Sequence, residues 1–263
     1  MYPVITSSDN LQFKQARKIA HSGRERRKTG LTLLDGLHLI RSWEASGRCV
    51  KKILLNAASA ENRELIDWLA AHPELKVFAF SPGLYADIIG EDFPSGVLGL
   101  VDTPAAVEKI DVACDTVVLD GVQDPGNLGT VLRSAAAAGF GQAVLSASCA
   151  QAWGPKTLRA GMGAHFALNI HEAVDLPDFL RQFCGVVAVT DLHAAESLYD
   201  ADLRSKMAWV FGNEGEGVSP QVRACATLPV IIPMPGRIES LNVSAAAAIC
   251  LFETVRQRGD RGQ

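Results

Sequence analysis

The chain has 263 residues, 48% hydrophobic and 21% charged, the balance of an ordinary globular protein with one large domain or two modest ones. Its net charge of −4 excludes a uniformly basic nucleic-acid binder, yet residues 1–52 hold 11 Lys/Arg against 4 Asp/Glu, a basic end of the kind that meets a polyanion. The six cysteines are scattered with no Cys-x-x-Cys pair, which points to reduced thiols and a cytoplasmic setting. No zinc-ligand spacing, signal peptide or membrane-length apolar run is present, so neither a metal nor a membrane is expected.

In chain order, Thr6-Ser-Ser-Asp-Asn10 is a cluster of capping residues ahead of a basic helix through Ile19. Arg24-Glu-Arg-Arg-Lys28 follows. This run is either a solvated charged face or a surface for phosphates, and the positive excess favours phosphates. Leu31–Leu34, Val50–Asn56, Val77–Phe80 and Val97–Val101 read as strands. Gly36–Ser46, Asn62–Ala71 and Leu84–Ile89 read as helices between them. The result is a small α/β domain over residues 1–104. Thr103–Asp115 loses the periodicity and reads as a linker.

From about residue 112 the alternation restarts. Strands are expected at Thr116–Leu119, Ala143–Ser146, Phe166–Ile170, Val186–Thr190, Ala208–Phe211 and Val230–Ile232. Helices are expected at Leu128–Ala138, Lys156–Ala160, Pro177–Phe183 and Pro220–Ala226, with a last helix in which Leu241, Ala245, Ala248, Ile249, Phe252 and Val255 recur at helical spacing. Such alternation implies a parallel sheet covered on both faces. Ligands bind such sheets at the carboxyl ends of their strands.

Three polar, Gly-rich loops fall at such ends. In Asp120–Arg133, Pro125-Gly126 makes a turn and Asn127 can cap the helix that follows. Arg133 lies roughly opposite that helix's apolar stripe, either as a plain exposed arginine or leaning over the preceding loop. In Phe211-Gly-Asn-Glu-Gly-Glu-Gly-Val-Ser219 the glycines permit close backbone approach, but Glu214 and Glu216 would repel phosphate. That suits a ligand with a cation. The third loop, Pro233–Ser244, is stopped by two prolines, turned at Gly236, and carries Arg237, Glu239, Ser240, Asn242 and Ser244. Capping alone needs one polar residue, so this loop reads as a ligand loop.

N-x-G-x-x-x-R at Asn127–Arg133, G-N-E-G-x-G at Gly212–Gly217 and I-P-M-x-G-x-x-x-S-L-N-V-S at Ile232–Ser244 resemble the three motifs of the SpoU (TrmH-like) family of RNA ribose 2′-O-methyltransferases, over about residues 116–257. The resemblance implies a catalytic domain over 112–263 with a parallel sheet and a C-terminal trefoil knot (SPOUT-like), preceded by a small RNA-binding domain. It also implies a homodimer and S-adenosylmethionine as methyl donor. By motif position Gly212, Ile232, Met234 and Leu241 fall on cofactor-binding positions. Asn127, Arg133, Glu214, Ser240 and Asn242 fall on catalytic and positioning ones. The expected reaction is 2′-O-methylation of structured RNA, rRNA ahead of tRNA, with RNA gripped through the basic residues of 1–52. Two alternatives stand beside it: a catalytically silent RNA-binding protein, and a base methyltransferase on a related knotted fold.

Overall fold

The computed structural model describes residues 2–59, 61–90, 95–105, 109–238 and 240–259. Glu239 of the third loop and residues 106–108 of the expected linker lie outside them. The chain forms two compact units, Met1–Ala105 with Trp153–Arg159, and Ala106–Ala152 with Ala160–Gln263.

The first unit holds β1 (Val4–Ile5), α1 (Leu11–His21), α2 (Gly23–Thr29), β2 (Leu31–Asp35), α3 (Leu37–Ala45), β3 (Lys52–Asn56), α4 (Arg63–Ala70), β4 (Lys76–Phe80), α5 (Pro82–Ile89) and β5 (Val97–Asp102). Its sheet runs β1-β4-β3-β5-β2, with β5 antiparallel to both β3 and β2. The four strands read from apolar runs are present. β1 was missed because two residues carry no period. One core gathers Phe13, Ala16 and Ile19 of α1 with Leu33, Leu54, Phe80 and Ile88. Asn10 caps α1, accepting from the Gln12 and Phe13 amides at 2.8 and 3.4 Å.

The second unit holds β6 (Thr116–Asp120), α6 (Pro125–Ala137), β7 (Gln142–Leu145), α7 (Pro155–Gly161, most of it counted with the first unit), β8 (Asn169–His171), α8 (Leu176–Gln182), β9 (Val186–Thr190), β10 (Met207–Gly212), α9 (Pro220–Arg223), β11 (Leu228–Val230) and α10 (Val243–Gly259). Its sheet runs β11-β9-β10-β6-β7-β8 and every pairing is parallel. That agrees with the alternation in the sequence. Residues 164–166 form a short 3₁₀ turn, so β8 starts later than the apolar run implied.

Side chains alternate across this sheet. Val118, Val144, Val187, Val189, Ala208 and Val210 meet Phe179 and Leu180 of α8 and Val222 of α9. On the other face the buried Trp209 donates its indole N–H to Thr254 of α10 at 2.9 Å. In α6, Leu128, Val131 and Leu132 are fully buried, each contributing about 1.5–3 kcal/mol.

The apolar residues that recur along the last helix are not its most buried face. Ala247, Cys250, Leu251 and Thr254 are buried, while Phe252 and Val255 are 48% and 38% exposed. The inward face is held by polar anchors as well as apolar contact: Thr254 bonds Trp209, and the buried Glu253 accepts from Arg256 and Gln257 at 2.8 and 2.9 Å. The periodic stripe therefore faces outward.

Candidate active site

The carboxyl ends of β9, β10 and β11 open onto one cavity of about 590 Å³, a volume suited to a cofactor-sized ligand. Its walls are Thr190, Asp191 and Leu192 after β9, the run Phe211–Val218 after β10, and Ile232, Met234, Ser240–Val243 and Ala246 from the third loop and α10. All belong to the second unit.

The glycine loop after β10 is a closed knuckle. The Asn213 and Gly217 amides each donate to the other's carbonyl at 2.9 Å. Asn213 holds it from both sides. Its Nδ2 donates to the Gly121 carbonyl after β6 (2.9 Å), and its Oδ1 accepts from the Gly215 and Glu216 amides (2.8 and 3.1 Å). Asp120 adds a carboxylate that accepts from the Ser219 amide at 2.9 Å. A Cβ on Gly212 would lie 2.1 Å from the Gly217 carbonyl carbon and 2.2 Å from the Val218 nitrogen. Only glycine fits there. Gly236, by contrast, has no positive φ and no atom within 4 Å of a would-be Cβ, so the turn expected of it does not depend on glycine.

Asn127 does not cap α6. Asp124 does, accepting from the Asn127 amide N–H at 2.7 Å. The helix begins at Pro125, three residues before its apolar period. That frees the Asn127 side chain for tertiary contact. Its Nδ2 donates to Glu214 Oε1 at 3.0 Å, and its Oδ1 accepts from Asn242 Nδ2 at 3.0 Å. The Asn242 Oδ1 in turn accepts from the Ser244 amide and hydroxyl at 2.9 and 2.6 Å, capping the start of α10. One hydrogen-bonded chain, Ser244–Asn242–Asn127–Glu214, thus joins the three motifs.

The other expected residues divide. Gly212, Ile232, Met234, Ser240 and Leu241 all line the cavity, and Ser240 has no hydrogen-bond partner among the described residues. Arg133 does not line it. Six residues beyond Asn127, it stands on a face turned by about 120° and roughly 9 Å along the axis. It is exposed, with no hydrogen bond or ion pair among the described residues. Sequence reasoning missed Asn213, whose signal was its place within the glycine run. It also missed Thr190–Leu192, which had none beyond ending a strand. Asp191 is held by an ion pair with Arg223.

Among the described residues no lysine or arginine lines the cavity, while Asp191, Glu214 and Glu216 do. Such a wall repels phosphate and accepts a cation. Ile232, Met234 and Leu241 supply apolar surface. Among the described residues no group of His, Cys, Asp and Glu could hold a metal, and no helix is long and apolar enough to cross a membrane.

Residues 115–252 match the SpoU rRNA methylase family. The chain is 31% identical to a 23S rRNA (guanosine(2553)-2′-O)-methyltransferase of Bacillus subtilis, over 94% of this chain and 97% of that protein. It is 30% identical to a 23S rRNA (uridine(2479)-2′-O)-methyltransferase of Streptomyces viridochromogenes, over 96% and 92%. The crystal structure of the SpoU methyltransferase AviRb from Streptomyces viridochromogenes, in complex with the cofactor AdoMet, superposes with a TM-score of 0.84 at 27% identity, covering 95% of this chain and 98% of that one. The chain belongs to the SpoU rRNA methylase family.

Proposed function

We propose that this protein transfers a methyl group from S-adenosylmethionine to the 2′-hydroxyl of a ribose in structured RNA, ribosomal RNA ahead of transfer RNA. The observation that carries this reading is the hydrogen-bonded chain from Ser244 to Glu214 at the edge of a cavity whose described lining holds no lysine or arginine. The relatives' names support the reaction and the rRNA target.

When bound, S-adenosylmethionine supplies an electrophilic methyl group on a sulfonium. The protein's own residues hold and orient it. Ile232, Met234 and Leu241 would border its apolar part, the knuckle around Gly212 would offer backbone groups, and Glu214 would supply a carboxylate to its positive charge. Asn127 fixes that carboxylate, and Asn242 fixes Asn127. A ribose hydroxyl attacks poorly until its proton leaves, and the charge that develops on oxygen must be stabilised. Arg133 takes that part. A guanidinium keeps its proton in proteins, so it orients a phosphate beside the ribose, which takes the hydroxyl proton and passes it to solvent, and it stabilises the developing alkoxide. Side chains on a helix lean toward its N-terminus, which carries Arg133 back toward the turn bearing Asn127.

The RNA-binding part is placed in residues 1–104, with the basic residues of 1–52, and the catalytic part in 112–263. The working form is a homodimer in the cytoplasm, supported by the outward apolar stripe of α10. The C-terminal knot is proposed from the family resemblance; beside it, the chain leaving β11 pairs in parallel with the connection after β9, the Ile231 amide donating to the Glu196 carbonyl and the Leu198 amide to the Ile231 carbonyl, both at 2.8 Å.

The test is nucleoside mass spectrometry of ribosomal RNA and transfer RNA from a deletion strain and its parent, followed by remethylation in vitro. A 2′-O-methyl nucleoside lost in the strain and restored by the protein is expected. A methyl group restored on a base overturns the proposal.

A further inference from the structure

The eleven cationic side chains of residues 1–52 divide sharply in the folded protein. Six are engaged. Lys14 pairs with Asp9 at 2.7 Å, Lys51 with Asp102 at 2.8 Å, and Arg41 with Glu64. Arg48 lies over the Trp43 ring at 5.2 Å. Lys52 donates to Gln12 at 2.8 Å. Arg26 turns inward and donates to the Ile19 and Ala20 carbonyls at 2.7 and 3.0 Å.

The other five, Arg17, Lys18, Arg24, Arg27 and Lys28, are exposed and have no hydrogen bond or ion pair among the described residues. They lie on α1 and α2 alone. On α1, Lys18 sits opposite the buried Phe13, Ala16 and Ile19 and Arg17 flanks them. On α2, Arg24, Arg27 and Lys28 share one stripe at i, i+3 and i+4. Glu25, the acidic residue of α2, is half-buried.

The two helices are fixed to each other. Ser22 ends α1 through its amide bond to the Lys18 carbonyl and begins α2 by accepting from the Glu25 amide at 3.2 Å. Arg26 then ties α2 to the last carbonyls of α1. His21 bonds the Asp87 carbonyl of α5 at 3.1 Å. The five free cations are thus carried on a braced corner, so little backbone entropy is lost when they meet a ligand.

We infer that this α1–α2 corner grips the phosphate backbone of a double-helical RNA segment. The inference rests on the proposed RNA substrate and names the part of it that this surface takes. A grip on single strands needs aromatic rings on which bases stack. Here Phe13, the one phenyl ring of residues 11–29, is buried at 2% exposure. Free cations with no exposed phenyl or indole, and one imidazole, His21, tethered to the Asp87 carbonyl, suit a duplex, which proteins read by shape and phosphate contacts.

The experiment uses the full chain, an RNA duplex of about 20 base pairs and polyuridine of the same length as competitor. Duplex affinity is measured across a salt series. Each phosphate contact contributes roughly 0.9 to the slope of log K against log salt for a duplex. The variant R17Q/K18Q/R24Q/R27Q/K28Q is expected to lower that slope by about 4. The control R41Q/R48Q/K51Q, which removes engaged cations, is expected to leave it within about one contact. Should the fivefold variant not fold, R17Q/K18Q and R24Q/R27Q are each expected to lose roughly 2. Polyuridine is expected to compete more than tenfold less well than the duplex. An unchanged slope, an equal loss in the control, or equal competition by polyuridine overturns the inference. S-adenosylmethionine binding, measured alongside by calorimetry, is expected to be unchanged in every variant. Its absence from the parent protein would defeat the methyl-transfer proposal and leave the salt comparison standing.

Discussion

Replacing Gly212 by alanine tests whether the knuckle after β10 is a rigid wall of the cofactor cavity. The added methyl would meet the Gly217 carbonyl carbon at 2.1 Å, the Val218 nitrogen at 2.2 Å and the Gly217 oxygen at 2.3 Å, where ordinary contact begins at 3.4 Å. The obstacle is backbone on every side, so no rotamer change relieves it. Residues 217 and 218 must move by more than an ångström, which breaks the two reciprocal hydrogen bonds between Asn213 and Gly217. Their loss costs about 1 kcal/mol each, and overpacking adds about 1–3 kcal/mol. The total is roughly 3–5 kcal/mol against the closed loop. If the loop opens to escape this strain, binding must first close it again, and at about 1.4 kcal/mol per decade affinity falls by roughly 100-fold or more. Calorimetry with S-adenosylmethionine, on protein whose circular dichroism melt remains cooperative, reads this directly. Gly236→Ala is the matched control, since nothing lies within 4 Å of its Cβ, and it is expected to bind as the parent does. A Gly212→Ala protein whose affinity stays within threefold of the parent's would refute the argument.

Arg133→Ala should lower methyl transfer by about 10²-fold or more while S-adenosylmethionine affinity stays within twofold, because the side chain is off the cavity and in the proposed mechanism acts on a phosphate and the developing alkoxide, neither of which belongs to the cofactor. Near-parental turnover on the true RNA would make it an ordinary exposed arginine. At Asp115, burial pushes the carboxyl's pKa up. The Arg258 guanidinium, the Met207 amide and Lys206 together outweigh that, so it sits below its ordinary value. Its stabilisation is therefore present above the unfolded carboxylate range and lost as pH falls through the folded value. Asp115→Asn should cost about 1–3 kcal/mol near neutrality, with the gap in Tm to the parent closing below about pH 4; a gap independent of pH would contradict the ion pair. Phe252→Glu with Val255→Glu should halve the mass seen by light scattering without lowering Tm by more than a few degrees. An unchanged mass would remove the α10 stripe as the dimer face.

Much of the second unit was legible because a parallel sheet buries both faces of its strands. Thr116–Leu119, Val186–Thr190 and Ala208–Phe211 are continuous apolar runs for that reason. The glycine run after β10 and the proline-bounded loop after β11, read as ligand loops because their polar residues exceed what capping needs, both line the cavity. What could not be read was which polar group meets which. Asn127 has partners 87 and 115 residues away, and no local pattern encodes such a pairing. The start of α6 misled for a related reason. Its first turn is Pro-Gly-Asn with no apolar residue, so periodicity placed the start at Leu128 and offered Asn127 as the cap. Asp124 takes the capping role, and the amide thereby released is the one that links the three motifs.

The last helix shows a limit of apolar spacing of a different kind. Ala245, Ala248, Ile249, Phe252 and Val255 form a regular stripe, and a single stripe ordinarily faces the core. α10 carries a second set, Ala247, Cys250 and Leu251, and it is this one that is fully buried. The choice between them is settled by polar groups that a hydrophobic count ignores. Thr254 gives its hydroxyl proton to the Cys250 carbonyl at 3.0 Å and accepts the Trp209 indole N–H at 2.9 Å, both inside the protein. Turning the helix over would leave that indole donor buried without a partner, at a cost of about 1–3 kcal/mol. Glu253 is admitted to the inner side because Arg256 and Gln257 of the same helix satisfy it. A helix apolar on two sides, with one already committed to its own sheet, has surface left for a second copy of the chain. On the proposed homodimer Phe252 would report on association, and Trp209 on folding.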